Sequence, residues 1–263
     1  MDNKTTVGFI GFGQMGKALG KGMIDHKVIT PPHLYACSQH YEKLLDDCKD
    51  WGISLKKEPQ EVIKNSEVVI LAVKPDQLEK VISENKKELQ SKIVISIAAV
   101  HYFADLEKMF LKNTHHLSAM PNTPIKVGQG ILILEDKNSL TKAEMKLFKE
   151  LFAPIALLVT LDASCFSVGG TIAGCAPAFT AMYLEALGDA GVKYGLKREV
   201  AYELAAKMLI GTGELYLQSH LHPAAMKDEV CSPGGSTIRG VTELEKDNFK
   251  GSVIKAVDAI EQK

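Results

Sequence analysis

The feature that most narrows what this chain can become is the loop Gly11-Phe12-Gly13-Gln14-Met15-Gly16. It lies directly behind the strand-like run Thr6-Val7-Gly8-Phe9-Ile10 and ahead of a segment carrying Met15, Ala18, Leu19 and Met23 at helical spacing. Three glycines at these positions have separate jobs. The first makes a tight turn, the second lets the main chain approach a diphosphate, and the third lets the helix pack closely on the strand. The helix start then presents unbonded amides and a partial positive charge to phosphate oxygens. The spacing alone is a weak signal, but in the first strand-loop-helix of a chain it is a strong one. The plainer reading of the same residues is a tight turn in a domain that binds nothing.

The first half of the chain repeats this alternation. Strand-like runs at His33–Cys37, Ser54–Lys56, Glu67–Val73, Lys92–Ile97, His115–Met120 and Ile131–Leu134 are separated by helical patterns at Tyr41–Trp51, Pro59–Asn65, Gln77–Leu89 and Leu106–Leu111. Runs as uniformly apolar as Val68-Val69-Ile70-Leu71 suit the centre of a parallel sheet covered on both faces. Strands alternating with helices predict right-handed crossovers and a doubly wound α/β sheet. Beyond Leu161 strand-like runs cease, and Ala178–Tyr194, Lys197–Ser219, Thr237–Glu245 and a last segment from Phe249 read as helices. A chain of 263 residues suits two domains. They are expected at 1–162, a Rossmann-type dinucleotide-binding domain, and 163–263, a helical one.

Charge is balanced, with 31 Lys+Arg against 32 Asp+Glu. No basic excess points to nucleic acid, so an anion site here must be local and built largely from backbone. No apolar run is expected to reach the roughly 18–20 residues of a membrane span, and no secretory leader is visible, so the expected location is cytoplasmic, away from membranes. Cys37, Cys48, Cys165, Cys175 and Cys231 include no Cys-x-x-Cys pair, which suggests neither a zinc site nor a disulfide framework. His115 and His116 would face opposite ways on a strand, a poor arrangement for metal, and no metal is expected.

The end of the second strand usually selects the nucleotide, an acid there binding the ribose of NAD. This chain has Ala36-Cys37-Ser38-Gln39-His40, with no acid. Ser38, Gln39 and His40 offer hydrogen bonds to a 2′-phosphate, so NADPH is the expected cofactor and NADH the alternative, although His40 fits an ordinary polar turn equally well. A nicotinamide belongs over the carboxyl ends of the strands. Ala72-Val73-Lys74-Pro75, Ala98 and Met120-Pro121-Asn122-Thr123 follow predicted strands there, although Lys74 also suits a solvated turn and Asn122 any turn. Ser232-Pro233-Gly234-Gly235-Ser236-Thr237 reads as a loop entering a helix. Its amides and hydroxyls can converge on a carboxylate, or Ser232 or Ser236 can simply cap the helix beside a Gly-Gly turn. Hydride transfer needs positioning and electrostatics rather than a nucleophile, and no acid–base dyad is apparent.

Together, Gly8-Phe9-Ile10-Gly11-Phe12-Gly13-Gln14-Met15-Gly16, Ala72-Val73-Lys74-Pro75, Met120-Pro121-Asn122-Thr123-Pro124 and Val230-Cys231-Ser232-Pro233-Gly234-Gly235-Ser236-Thr237 resemble the pyrroline-5-carboxylate reductases. His222-Pro223 and Lys227-Asp228 precede the last segment at the family's spacing, and the order is kept along nearly the whole chain. The resemblance implies a Rossmann sheet followed by an all-α dimerisation domain. It implies hydride transfer from NAD(P)H to the C=N bond of 1-pyrroline-5-carboxylate, giving L-proline in the last step of its biosynthesis. It also implies a homodimer through the helical domain, with larger assemblies of dimers in some members. By position, Gly11 to Gly16, Ser38, Gln39, His40, Ala72 to Pro75, Ala98, Met120 and Asn122 would serve the cofactor. Ser232 to Thr237 would hold the cyclic imino acid, with Thr237 and Lys74 as catalytic residues, Thr237 near the ring nitrogen.

The match frays in places. The family often has Gly where Val100 stands and Arg where Ser118 stands, and its Ser-Gly-Ser-Gly-Pro-Ala-Tyr run is here Ala173-Gly174-Cys175-Ala176-Pro177-Ala178-Phe179. These departures leave open a paralogue reducing another cyclic imine, or a non-catalytic NAD(P)-binding regulator. The β-hydroxyacid dehydrogenases share the opening but place a lysine in the helix after the domain junction, and Gly170 to Phe179 contains none.

Overall fold

Strands apolar on both faces need helices on both sides of the sheet, and the chain supplies them. The computed structural model describes residues 5–98 and 101–262, so Val100 lies outside the described residues. Its strands are β1 (Val7–Ile10), β2 (Leu34–Cys37), β3 (Ser54–Leu55), β4 (Val68–Leu71), β5 (Ile93–Ser96), β6 (His115–Pro121), β7 (Gly130–Glu135) and β8 (Ala156–Leu161). They form one eight-stranded sheet in the order β3-β2-β1-β4-β5-β6-β7-β8. Neighbouring strands are parallel except β6 and β7. The connecting helices are α1 (Gln14–Asp25), α2 (Tyr41–Asp47), α3 (Pro59–Lys64), α4 (Pro75–Glu84), the short α5 (Lys86–Leu89), α6 (Phe103–Met109), α7 (Lys142–Phe152) and α8 (Ala163–Gly170).

Alternation along each strand divides the core in two. Val7, Phe9, Val68, Ile70, Ile93 and Ile95 pack with Leu19 and Met23 of α1 and Phe148 and Phe152 of α7. Ile10, Val69, Leu71 and Val94 pack instead with Ile63 of α3, Leu78 and Ile82 of α4 and Leu106 of α6. α7, β8 and α8 lie beyond the sequence expectation, as does a helix at Pro223–Glu229. α7 begins with a capping box, Thr141 accepting the Glu144 amide and the Glu144 carboxylate accepting the Thr141 amide, a pattern written in Thr-x-x-Glu. β8 then pairs along β7 over the full length of both strands.

The contacts divide the chain into two compact units, Met1–Gly174 and Cys175–Lys263. The sequence-based division at 162/163 falls at the N-cap of α8, Asp162. That helix packs on β7 and β8, so the first unit continues past it. The second unit comprises α9 (Ala176–Lys193), α10 (Arg198–Ser219), α11 (Pro223–Glu229), α12 (Ser236–Lys246) and α13 (Phe249–Glu261), with no strand among the described residues. α9 and α10 pack against each other, Tyr202 lying over Gly188 and Ala201 over Gly191. One sequence expectation is corrected: the helical run Ala163–Lys193 is long and apolar enough, on length and composition alone, to cross a membrane. Ala, Gly, Ser and Cys carry much of that character, and a π-helical turn at Thr171–Cys175 interrupts the run.

His116 makes one part of the sheet sensitive to acid. Its fully buried ring stacks on Phe103 and lies against Phe110, with Nε2 on the Glu107 carboxylate at 2.7 Å. Burial holds its pKa below the ordinary value of 6.5, and the bond to Glu107 opposes this only in part. The unfolded chain therefore takes up a proton first as pH falls. This group's contribution to stability should be fully present above about pH 6.5 and decline below it, until the folded ring is protonated as well. His116→Phe keeps the ring packing and removes the titration. Urea unfolding between pH 7.5 and 5 should show a shallower stability loss for this variant than for the unsubstituted chain, and equal slopes would refute the assignment.

Candidate functional site

Gly11 lies at φ +88, and a Cβ there would meet Val73 Cγ1 at 2.7 Å and the Val73 nitrogen at 2.8 Å. This turn therefore needs glycine on both conformational and steric grounds. The Gly11 and Phe12 amides both donate to the Cys37 carbonyl, at 3.1 and 2.9 Å, which clamps the loop to the end of β2. The Phe12 side chain is a core residue, edge-on to Phe9 and Trp51, so only its main chain faces the loop. Burial pushes the Cys37 thiol up to about 12 against the pull of the Gly11 amide, so it remains a thiol.

Gly13 differs from Gly11. Its backbone is extended, and a Cβ built on it meets nothing within 4 Å. Among the described residues nothing requires glycine at this position; a side chain would fill the open space ahead of α1. Gly13 is the N-cap of α1 and carries no side-chain cap, so the first amides of that helix have no partner within it. Open space, free amides and a helix dipole at one point match the demands of a nucleotide diphosphate. The residues present therefore fit a dinucleotide.

Ser38, Gln39 and His40 follow β2 beside this loop. Ser38 Oγ accepts the His40 amide, Gln39 Oε1 accepts from Gln77 Nε2 on α4 at 3.2 Å, and the His40 side chain is exposed. The Ala72 amide donates to the Ile10 carbonyl at 2.8 Å, which places the turn Ala72 to Pro75 next to the glycine loop. Lys74 caps α4 through its backbone, with its side chain exposed, and Pro75 opens the helix. Ala98 is buried just past β5, whose Ser96 is in register with Leu71 of β4. The structure thus gathers the three parts of the expected nucleotide site at the carboxyl ends of β1, β2, β4 and β5.

Two residues sit differently from a simple ligand contact. Met120 packs beside Gly170 of α8, in a small core with Phe166, Ala173 and Ile133. Asn122 is buried, with Oδ1 accepting the Ile131 amide at 2.8 Å and Nδ2 donating to the Ala173 carbonyl at 3.0 Å. Both side chains thus brace β6 against its neighbours. The sequence reading also passes over His101, whose Nε2 lies 3.2 Å from the Pro75 carbonyl, and Glu135, which accepts the Phe103 amide at 2.6 Å from the end of β7.

In the second unit Gly234 lies at φ +70, and the Gly235 amide donates to the Ser232 carbonyl at 3.0 Å. Gly235 is the N-cap of α12, and no side chain accepts from the first turn. Neither Ser232 nor Ser236 caps the helix, so the first amides of α12 stay available, with Ser236 and Thr237 on that turn. Upstream, His222 caps α11 by accepting the Ala224 amide on Nδ1, and Lys227 pairs with Asp228 at 3.1 Å.

The chain is similar to known proteins along nearly its whole length. Residues 164–263 match the family model for pyrroline-5-carboxylate reductase dimerisation, and residues 6–100 match the model for coenzyme F420-dependent NADP oxidoreductases. A pyrroline-5-carboxylate reductase of Treponema pallidum (strain Nichols) is 43% identical over 96% of this chain and 97% of its own length. One from Arabidopsis thaliana is 33% identical over 96% of this chain and 92% of its own. A crystal structure of Plasmodium falciparum pyrroline carboxylate reductase with NADP bound superposes with a TM-score of 0.87 at 31% identity, covering 99% of this chain and 96% of that one. Likeness of this extent, running through both compact units, shows that the chain belongs to the pyrroline-5-carboxylate reductase family.

Proposed function

We propose that this chain reduces 1-pyrroline-5-carboxylate to L-proline with NADPH, as the last step of proline biosynthesis in the cytoplasm. The observation that carries the reading is the glycine at position 13, which no contact among the described residues demands and which borders free helix amides beside the strand ends. Gly11 to Gly16 hold the diphosphate. Ser38, Gln39 and His40 meet the 2′-phosphate. Ala72 to Pro75 and Ala98 border the nicotinamide, and Met120 and Asn122 form its framework. Bound NADPH supplies the hydride. The first turn of α12, with Ser232 to Thr237, holds the substrate carboxylate by amide and hydroxyl donors. The Thr237 hydroxyl faces the ring nitrogen, and Lys74 adds positive charge on the cofactor side, making these two the catalytic residues.

A second copy of the chain completes this picture. α10 leaves Leu204, Ile210 and Leu217 exposed, at 59%, 65% and 52% of their surface, together with Met208, Leu215 and Tyr216, an apolar share of the kind that marks interaction surfaces. The match of 164–263 to a dimerisation domain supports a homodimer through these helices, which also accounts for the apolar character of 163–193. Dimers associating further is the extension of the same reading.

The test is loss of reduced-nicotinamide absorbance with synthetic pyrroline-5-carboxylate, run with NADPH and with NADH. Turnover should require the imine and show the lower KM with NADPH. Nucleotide binding without turnover of any cyclic imine would favour a regulatory protein instead. Ser38→Asp places a like charge at the expected 2′-phosphate and should raise the KM for NADPH roughly tenfold or more while sparing NADH. An unchanged cofactor ratio would remove Ser38 from the site.

A further inference from the structure

We propose that His101 is a positioning residue for the cofactor turn, acting by a hydrogen bond from Nε2 to the Pro75 carbonyl; this rests on the placement of Ala72 to Pro75 beside the nicotinamide. The bond is 3.2 Å long and joins the segment after β5 to the first turn of α4, across 26 positions of sequence. His101 is itself held from the other side. The Ser118 hydroxyl on β6 donates to its carbonyl at 3.1 Å, and two residues on the Glu135 carboxylate of β7 accepts the Phe103 amide at 2.6 Å. α6 is fixed further along where Glu107 meets His116. A continuous chain of bonds therefore runs from β6 and β7 through His101 to Pro75. Lys74 and Pro75 otherwise stand at the exposed start of the helix they open.

Pro75 has no amide to donate, and its carbonyl has two lone pairs, one for the helix and one for His101. Because a carbonyl oxygen can only accept, the donor is an N–H on Nε2. The ring stands in the wall of a cavity of about 510 Å³ between α4 and α6, not in the core, so replacing it opens no internal void. This separates a positioning role from a structural one.

His101→Phe keeps a ring and removes the donor, whereas His101→Gln restores an N–H at similar reach. For His101→Phe the KM and Kd for NADPH should rise roughly 2- to 10-fold, the range expected for one neutral hydrogen bond. The change in kcat should be smaller and the melting temperature should stay the same. His101→Gln should recover most of the affinity. An unchanged Kd in His101→Phe, or a loss that tracks the melting temperature and is not rescued by Gln, overturns the proposal. If Gly13→Val binds NADPH as tightly as the unsubstituted chain, the nucleotide site itself is misplaced and this tether goes with it.

Discussion

Replacing Gly13 with valine is expected to leave the fold intact and to abolish measurable NADPH binding. The backbone there is extended, a conformation valine adopts freely, and among the described residues no atom stands within 4 Å of the new Cβ. Folding therefore has nothing to lose. The diphosphate does, because the valine methyl groups occupy the space in front of the α1 amides. Losing two amide-to-phosphate bonds, each worth roughly 1.5–3 kcal/mol when the acceptor is charged, costs more than about 100-fold in affinity. Trp51, the only tryptophan, lies edge-on to Phe12 of the loop with ring centroids 6.0 Å apart, so its emission can report the binding of a reduced nicotinamide. Titration with NADPH should quench Trp51 in the unsubstituted protein and not in Gly13→Val, while the two melt together. Gly11→Ala is the control with the opposite expectation. Its Cβ would press on Val73 at a left-handed φ, so it should lose stability, by about 1–3 kcal/mol, before it loses ligand. A Gly13→Val chain that binds NADPH normally would remove the diphosphate from this loop.

That contrast shows what can be read from sequence and what cannot. The glycine spacing gives the place of the loop, and period and apolarity give β1, β4 and β5, because both depend on residues near one another in the chain. The spacing does not reveal that Gly11 is required by Val73 and Gly13 by nothing among the described residues, since Val73 comes from another strand's end. The same limit explains His101 and Pro75. Their bond links residues whose local patterns say only loop and helix start, and its existence depends on β4 and β5 lying side by side in parallel register. Asn122 is a third instance: it reads as a turn residue near a ligand, but its amide group holds β7 and the π-helical turn after α8 in place. α7 is announced by Thr141 and Glu144, whereas β8 carries Leu157, Leu158 and Val159 without clear alternation, its pattern weakened by its place at the sheet edge.

The second large effect belongs to Thr237. Threonine and valine have nearly the same shape, so Thr237→Val removes a hydroxyl and little else. At the second position of α12 that hydroxyl makes no cap, since the N-cap is Gly235 and the helix start has no side-chain acceptor. Its removal should leave helix stability nearly unchanged. If the hydroxyl serves the imine nitrogen or the carboxylate of the substrate, kcat/KM for pyrroline-5-carboxylate should fall roughly 10- to 100-fold, the worth of a hydrogen bond to a charged group. The Kd for NADPH, read from Trp51 in the other compact unit, should not move. Thr237→Ser keeps the donor and should keep most of the activity. The free amides of the same helix turn would still hold the carboxylate in Thr237→Val, so a weakened enzyme is expected, not a dead one. Full activity in Thr237→Val would leave the amides of α12 as the whole of the substrate site and take Thr237 out of the chemistry.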